Sequence, residues 1–215
     1  MSDTARRLPR SRTPEPAGRF GQVAPRLTRQ HIVLCATIGL LAIAAGIASI
    51  VAAPGVRGLL GAGLAVGMLA IAVIDARQFV IPNELVAIGL GLGLVHAGLV
   101  ASEAAIEGIA LAAIRAGALA LAFLVLRLIY SRLRGRQGIG LGDVKLAGVA
   151  GVWLDWQMIP IAIEIATLSA LAVYALRQWT LGRSLRWTSR IPLGLFLAPA
   201  IWLSWFLDAL LFGPR

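Results

Sequence analysis

The chain has 215 residues, of which 59% are hydrophobic and only 14% charged, with a mean hydropathy of +0.84 and a formal net charge of +10. Soluble domains carry about 25% charged residues, so this composition excludes an ordinary soluble domain and points to an all-α polytopic membrane protein. At roughly 20 residues per crossing there is room for about seven apolar spans, six to seven, and for no second folded domain. The basic excess does not indicate nucleic acid, because the arginines gather at the ends of apolar runs, where they orient a membrane protein. Lipid is the expected partner and nucleic acid is not.

Residues 1–30 hold Arg6, Arg7, Arg10, Arg12, Arg19, Arg26 and Arg29 among prolines and polar residues. They carry too little apolar surface to fold alone and are read as a disordered cytoplasmic tail preceding a membrane domain over 31–215. The run His31 to Ala53 is expected as a retained anchor span. Its single cysteine, Cys35, allows neither a disulfide framework nor a Cys-x-x-Cys metal pair and is expected as a packed core residue. Pro54 and Gly55 turn the chain into a second run, Gly58 to Ile74, which ends at Asp75 on a membrane boundary. A glycine-rich third run, Leu85 to Val100, and a fourth, Ile109 to Tyr130, follow. Met158 to Leu176 and Ile191 to Phe212 complete the set.

Between the fourth and sixth runs lies Gly138-Ile-Gly-Leu-Gly-Asp-Val-Lys-Leu-Ala-Gly-Val-Ala-Gly151, which sets Asp143 and Lys145 in an otherwise uncharged stretch. Gly138, Gly140 and Gly142 favour a bent, closely packed approach, with a short helix from Val144 onward. Ten residues from Val144 to Trp153 give only about 15 Å of helix against a hydrocarbon core near 30 Å. If Trp153 and Trp156 mark the far interface, the glycine-rich approach dips into the membrane, which requires protein or a water-filled cavity around it.

With the tail inside, the loops after spans two, four and six are also inside. They contain Arg77, Arg132, Arg134, Arg136, Arg177, Arg183, Arg186 and Arg190, whereas the outside segments hold Arg57 and Arg215. That asymmetry places the N-terminus in the cytoplasm and brings Asp75 and Asp143 to one level on the same side. Two neighbouring carboxyls cannot both ionise cheaply, so they share a proton, one as base on water and the other as acid toward a carbonyl. Taken alone, Asp143 also fits a helix cap and Asp75 a juxtamembrane acid beside Arg77. If they act together, the helix dipoles divide the roles. Asp75 closes a helix and would keep its proton, and Asp143 opens one and would ionise first.

The stretch Gly140-Leu-Gly-Asp-Val-Lys-Leu146 resembles the Gly-x-Gly-Asp signature of type 4 prepilin peptidases. Asp75 followed by Ile81-Pro82-Asn83 resembles that family's first catalytic motif, and Ile191-Pro-Leu-Gly194 is similar to the segment opening its last helix. The resemblance covers roughly residues 58–212. It implies a catalytic pair Asp75 and Asp143, supported by Gly140, Gly142, Lys145, Pro82 and Asn83, in an intramembrane aspartyl endopeptidase that uses no metal or cofactor. It further implies a pilin-like precursor as substrate, cut behind a short basic leader at the inner membrane. Larger members carry a cysteine-bearing cytoplasmic domain between their first spans and also methylate the new N-terminus. Here those spans are joined by a few residues, so methylation is not expected.

Two alternatives are another Gly-x-Gly-Asp intramembrane protease and a small proton-coupled transporter. The first pairs its signature with Tyr-Asp, whereas Ile74 precedes Asp75; the second favours repeated broken helices, and no second copy of the Gly138–Asp143 stretch occurs. Of the remaining polar residues, Lys145 is placed to steer a substrate carboxylate or to tune Asp143, and equally to snorkel or meet phosphate at the inner interface. Glu164, midway along a span, is expected to pair with Arg115, and His96 to be a packed or hydrogen-bonded histidine.

Overall fold

The computed structural model describes residues 29–135, 138–181 and 192–213. Residues 1–28 of the basic tail, Arg136, the loop arginines Arg183, Arg186 and Arg190, and Ile191 and Arg215 lie outside the described residues. Among the described residues seven α-helices follow in order: α1 (Arg29–Ala52), α2 (Val56–Gln78), α3 (Asn83–Ala101), α4 (Ala105–Arg134), α5 (Leu141–Trp153), α6 (Met158–Leu181) and α7 (Leu193–Phe212). Among the described residues no strand occurs. Five stretches are long and apolar enough to cross a membrane, and one of them, Asn83–Arg134, contains both α3 and α4 folded back about a 3-10 turn at Ser102–Ala104.

α5 is the centre of the bundle. It packs against α3, α4 and α7, and every residue from Leu146 to Trp153 is buried. At 13 residues it is about 20 Å long, too short to cross a bilayer by itself. It also starts earlier than the glycine pattern suggests. Gly140 is the N-cap and Leu141 the first helical residue, so Gly142 and Asp143 belong to the first turn.

α2 packs against α1, α3 and α7. Its buried residues Gly58, Gly61, Leu64, Ala65, Met68, Ile71, Ala72 and Asp75 recur at three- and four-residue intervals, which places them on one face of a helix. The face that docks α2 into the bundle therefore aims Asp75 inward. The helix continues one turn beyond Asp75 to Gln78, so the acid is not at its end. Phe79 closes it in a left-handed conformation, φ 55°, with its N–H donated to the carbonyl of Asp75.

Lipid tails are as apolar as leucine, so helix association rests on close packing, which small residues permit. A Cβ at Gly151 would stand 2.6 Å from the carbonyl oxygen of Arg115 and 2.7 Å from Cα of Ala116. These are backbone atoms of α4, so nothing can swing aside. Gly151→Leu is expected to separate α4 from α5 at a cost of about 1–3 kcal/mol or more, read as a lower melting temperature in detergent. Gly117→Leu, on the open side of α4 with nothing within 4 Å, should leave the melting temperature nearly unchanged.

Three sequence expectations are corrected. Arg115 does not pair with Glu164: its Nη1 lies 3.1 Å from Oδ1 of Asp155, and Glu164 is exposed on α6. The intervals of two residues from Ala162 and Ala166, both buried, turn Glu164 about 200° away from the packed seam of its helix. Trp153 is buried in the core while Trp156 is exposed, so only the second has the surroundings of an interfacial tryptophan. Cys35 is exposed on α1, because the packed residues of α1 lie nearer its C-terminal end.

Candidate active site

The two candidate acids come to the same end of the bundle from different helices. Asp75, 5% exposed, ends the packed face of α2. Its Oδ2 accepts the backbone N–H of Leu195 at 3.0 Å, across 120 residues of chain. Leu195 stands in the first turn of α7, whose N–H groups have no partner inside their own helix. Asp75 thus caps a helix other than its own. Asp143 is half-buried, and its Oδ2 accepts the N–H of Gly140 at 3.0 Å. This is the returning half of a capping box, to which glycine contributes no side chain.

Each carboxyl therefore already sits at the positive end of a helix, α7 for Asp75 and α5 for Asp143. The contrast in helix dipoles that separates the two acids in the sequence is removed by the tertiary structure, because Asp75 faces the start of α7 as well as the last turn of α2. The capping and catalytic readings of Asp143 are compatible, since one oxygen serves the backbone and the other is left to other partners.

Ile81 ties the two acids together sterically. A methyl group at Gly142 would lie 3.1 Å from the Ile81 side chain, and one at Gly194 would lie 3.0 Å from Ile81 Cδ1 and 2.8 Å from Oδ2 of Asp75. The buried Ile81 side chain thus packs between the glycine preceding Asp143 and the glycine facing Asp75. The carboxyls of Asp75 and Asp143 are near enough to interact electrostatically.

The remaining motif residues frame this pair. Pro82 is the N-cap of α3, with φ −63° and ψ 133°, a position where its missing N–H costs no helical bond. Asn83 opens the helix, and its Oδ1 accepts from Lys145 Nζ at 2.6 Å, a link across 62 residues. Lys145 therefore joins the start of α3 to the first turns of α5 and so fixes the Asp143 segment against Ile81. Loss of this charge-assisted bond should misplace one acid relative to the other. Lys145→Met is expected to lower kcat/KM for the reaction at this site about tenfold, with Asn83→Ala similar and the double variant no worse than either single. Additive losses would separate the two residues' roles.

The sequence motifs identify the aspartates, Gly194 and Ile81, but not the Leu195 amide or the Asn83–Lys145 bond. Backbone donors leave no signature in side-chain identity. His96 is, as expected, a hydrogen-bonded packing residue: its Nε2 accepts from Trp205 Nε1 at 3.2 Å, and its ring stacks on Trp153 with centroids 5.0 Å apart. Among the described residues no group of three His, Cys, Asp or Glu side chains is arranged to hold a metal ion.

The model of the Type IV leader peptidase family matches residues 62–176, more than half of the chain and a range that includes both aspartates. The chain is 36% identical over 136 residues to the prepilin leader peptidase/N-methyltransferase of Burkholderia pseudomallei, a match covering 63% of this chain and 42% of that protein. It is 35% identical over 156 residues to the protein of the same description from Pseudomonas aeruginosa, covering 69% and 48%, and 38% identical over 124 residues to that from Dickeya chrysanthemi, covering 56% and 41%. The matches thus span less than half the length of these relatives. No solved structure matches the chain. With more than half of its length matched by the family model, this multi-pass membrane chain belongs to the type IV leader peptidase family.

Proposed function

We propose that the chain is an intramembrane aspartyl endopeptidase of the inner membrane that removes short basic leaders from pilin-like precursors, with Asp75 and Asp143 as its catalytic pair. The observation that carries this reading is the convergence of the two acids, from α2 and α5, at one end of the bundle around Ile81. One carboxylate takes a proton from a water whose oxygen attacks the scissile carbonyl carbon, and the other carboxyl gives its proton to the carbonyl oxygen. Collapse of the resulting diol returns a proton to the leaving amine and restores the shared proton. The assignment of Asp143 as base and Asp75 as acid is retained as a proposal, with the protons belonging to the coupled pair.

The topology supports cleavage on the cytoplasmic side. Arg77, Arg132 and Arg134 lie in the last turns of α2 and α4 at the acids' end, as the positive-inside rule requires of a cytoplasmic face. A substrate helix would present its leader there, between basic residues and apolar segment. Leu141, Phe79 and Val80 are exposed at that end and supply apolar contact for the segment, while Glu84 in the first turn of α3 and anionic lipid attract the leader.

Cleavage without methyl transfer is part of the proposal. Its support is the short link from Ala52 to Val56 between α1 and α2, which leaves no room at that point for an inserted cysteine-bearing domain. Co-expression with candidate pilin precursors, read by the mass of the mature N-terminus, tests both statements. The expected product lacks the leader and carries no methyl group; an intact precursor refutes the peptidase and a methylated product refutes the restriction. Activity is expected to persist within about twofold in chelator, with thiol reagents and in Cys35→Ala, because the proposed chemistry runs through two carboxyls alone. Loss on chelation with recovery on adding metal would contradict it.

A further inference from the structure

The end of α5 away from the acids stops inside the bundle. The last four carbonyls of a helix have no partner of their own, and in α5 they belong to Ala150, Gly151, Val152 and Trp153, all buried. Leu154 leaves the helix in extended conformation, φ −107° and ψ 141°, and its N–H serves the Ala150 carbonyl at 2.9 Å. The Gly151 carbonyl is served from another helix. Arg115 of α4 donates to it through Nε at 3.3 Å, while Nη1 lies 3.1 Å from Oδ1 of Asp155, two residues past the end of α5. A cation at a helix C-terminus also meets the negative end of the dipole. Arg115 is thus the C-terminal cap of a helix other than its own, as Asp75 is an N-terminal cap of α7.

Packing alone holds α5 only loosely in the lengthwise direction against α4. Gly148 and Gly151 meet Ala116 and Ala120 there. Such a seam lets two backbones come close, but it sets no large side chain into a groove that would resist sliding along the axis. Directional bonds then fix the height of α5: Lys145 to Asn83 near its start, Trp153 Nε1 to the Gly89 carbonyl at 2.8 Å, and Arg115 to the Gly151 carbonyl. The first two tie α5 to α3, and the third ties it to α4. Asp143 stands eight residues before Gly151, about 12 Å along the same helix, so an axial shift at one end is carried to the other.

We propose that Arg115 is a positioning residue for the peptidase site: by capping α5 from α4 it fixes the axial position of α5 and so the place of Asp143 opposite Asp75. Its effect on turnover rests on the peptidase reading; its effect on α5 does not. Without the guanidinium the Gly151 carbonyl is left buried and unsatisfied, and the water it needs lies outward, where Asp155 and Trp156 are exposed. α5 is drawn that way, and Leu141, exposed at its start, is drawn in. Arg57 supplies the contrast. Its Nη2 donates to the Leu99 carbonyl in the last turn of α3 at 3.3 Å, the same kind of cap, but Leu99 is exposed and water can replace the donor.

Two readouts on the full-length protein in detergent test this. The first labels Leu141→Cys, in a Cys35→Ala background, with a water-soluble maleimide. Adding Arg115→Met should slow that labelling at least about threefold, while Val80→Cys, on the exposed link between α2 and α3, keeps its rate and Arg57→Met changes neither. The second is cleavage of a pilin-like precursor: Arg115→Met should lower kcat about tenfold with KM within about twofold. Arg115→Lys, which can still donate to both acceptors, should recover most of that loss, and Asp155→Asn added to Arg115→Met should deepen it no further. Where Arg115→Met does not fold, Asp155→Asn alone, at an exposed side chain that orients the guanidinium, should slow Leu141→Cys labelling about twofold, and an unchanged rate there overturns the proposal. An unchanged rate in folded Arg115→Met, an equal effect of Arg57→Met, or a lost kcat that Arg115→Lys does not recover also overturns it. Slowed labelling in a protein whose parent cleaves no precursor refutes the peptidase reading and leaves the hold of Arg115 on α5 standing.

Discussion

Asp75→Asn and Asp143→Asn are each expected to reduce leader cleavage by about 10²–10⁴-fold, the range attributable to a positioned acid or base. The substitution keeps one carbonyl oxygen in the place of Oδ2, so the bonds from the Leu195 and Gly140 amides survive, and helix content and melting temperature should stay close to those of the parent. In the proposed mechanism the two acids serve one proton-transfer cycle, so the double variant should be about as inactive as either single. Strict additivity would mean that they act in separate steps. Cleavage within about tenfold of the parent in either single variant would remove that residue from the mechanism. The readout must be the mature N-terminus, since a variant that still binds precursor without cutting it is the expected result.

Much of the bundle is legible in the sequence because hydrocarbon imposes a simple rule: long apolar runs must be helices, with every backbone group satisfied internally. The runs deviate from the helices by only a few residues, and the recurrence of small and apolar residues from Gly58 to Ala72 already implies that Asp75 shares their face. The local environment of each acid is less legible. Helix-end arguments treat each segment by itself and make Asp75 a residue at a negative terminus. In the folded chain the start of α7 is brought against it, and Leu195 lies 120 positions away. The same limit explains Arg115. Within the sequence, Glu164 is the isolated buried-looking charge that calls for a partner, but α6 packs on α7 and not measurably on α4, so Arg115 turns to Asp155 at the end of α5. Hydropathy reports that a residue is within a span; it does not report which side of the helix is covered.

Gly194→Ala should separate the positioning of Asp75 from the stability of the bundle. The added methyl would lie 2.8 Å from Oδ2 and 3.0 Å from Cγ of Asp75, and 3.0 Å from Cδ1 of Ile81. The carboxyl cannot keep both its place and its bond to the next amide, that of Leu195, so it must turn or retreat. Displacements of about 1 Å in a catalytic group cost on the order of 10²-fold in rate, and a loss of that size is expected in kcat with KM little changed, because the proposed contacts of the precursor's apolar segment, at Leu141, Phe79 and Val80, do not include Gly194. The melting temperature should fall only slightly, as the obstructing atoms are side-chain ends and not the backbone that blocks a Cβ at Gly151. Gly67→Ala, with nothing within 4 Å, serves as the control in the same membrane domain. Ile81→Ala in the Gly194→Ala background opens space on the other side of the new methyl and should recover part of the lost kcat. Near-normal turnover in Gly194→Ala would show that the contact between α7 and Asp75 does not set the catalytic geometry; lost turnover with a collapsed melting temperature, unrelieved by Ile81→Ala, would reduce Gly194 to a packing residue.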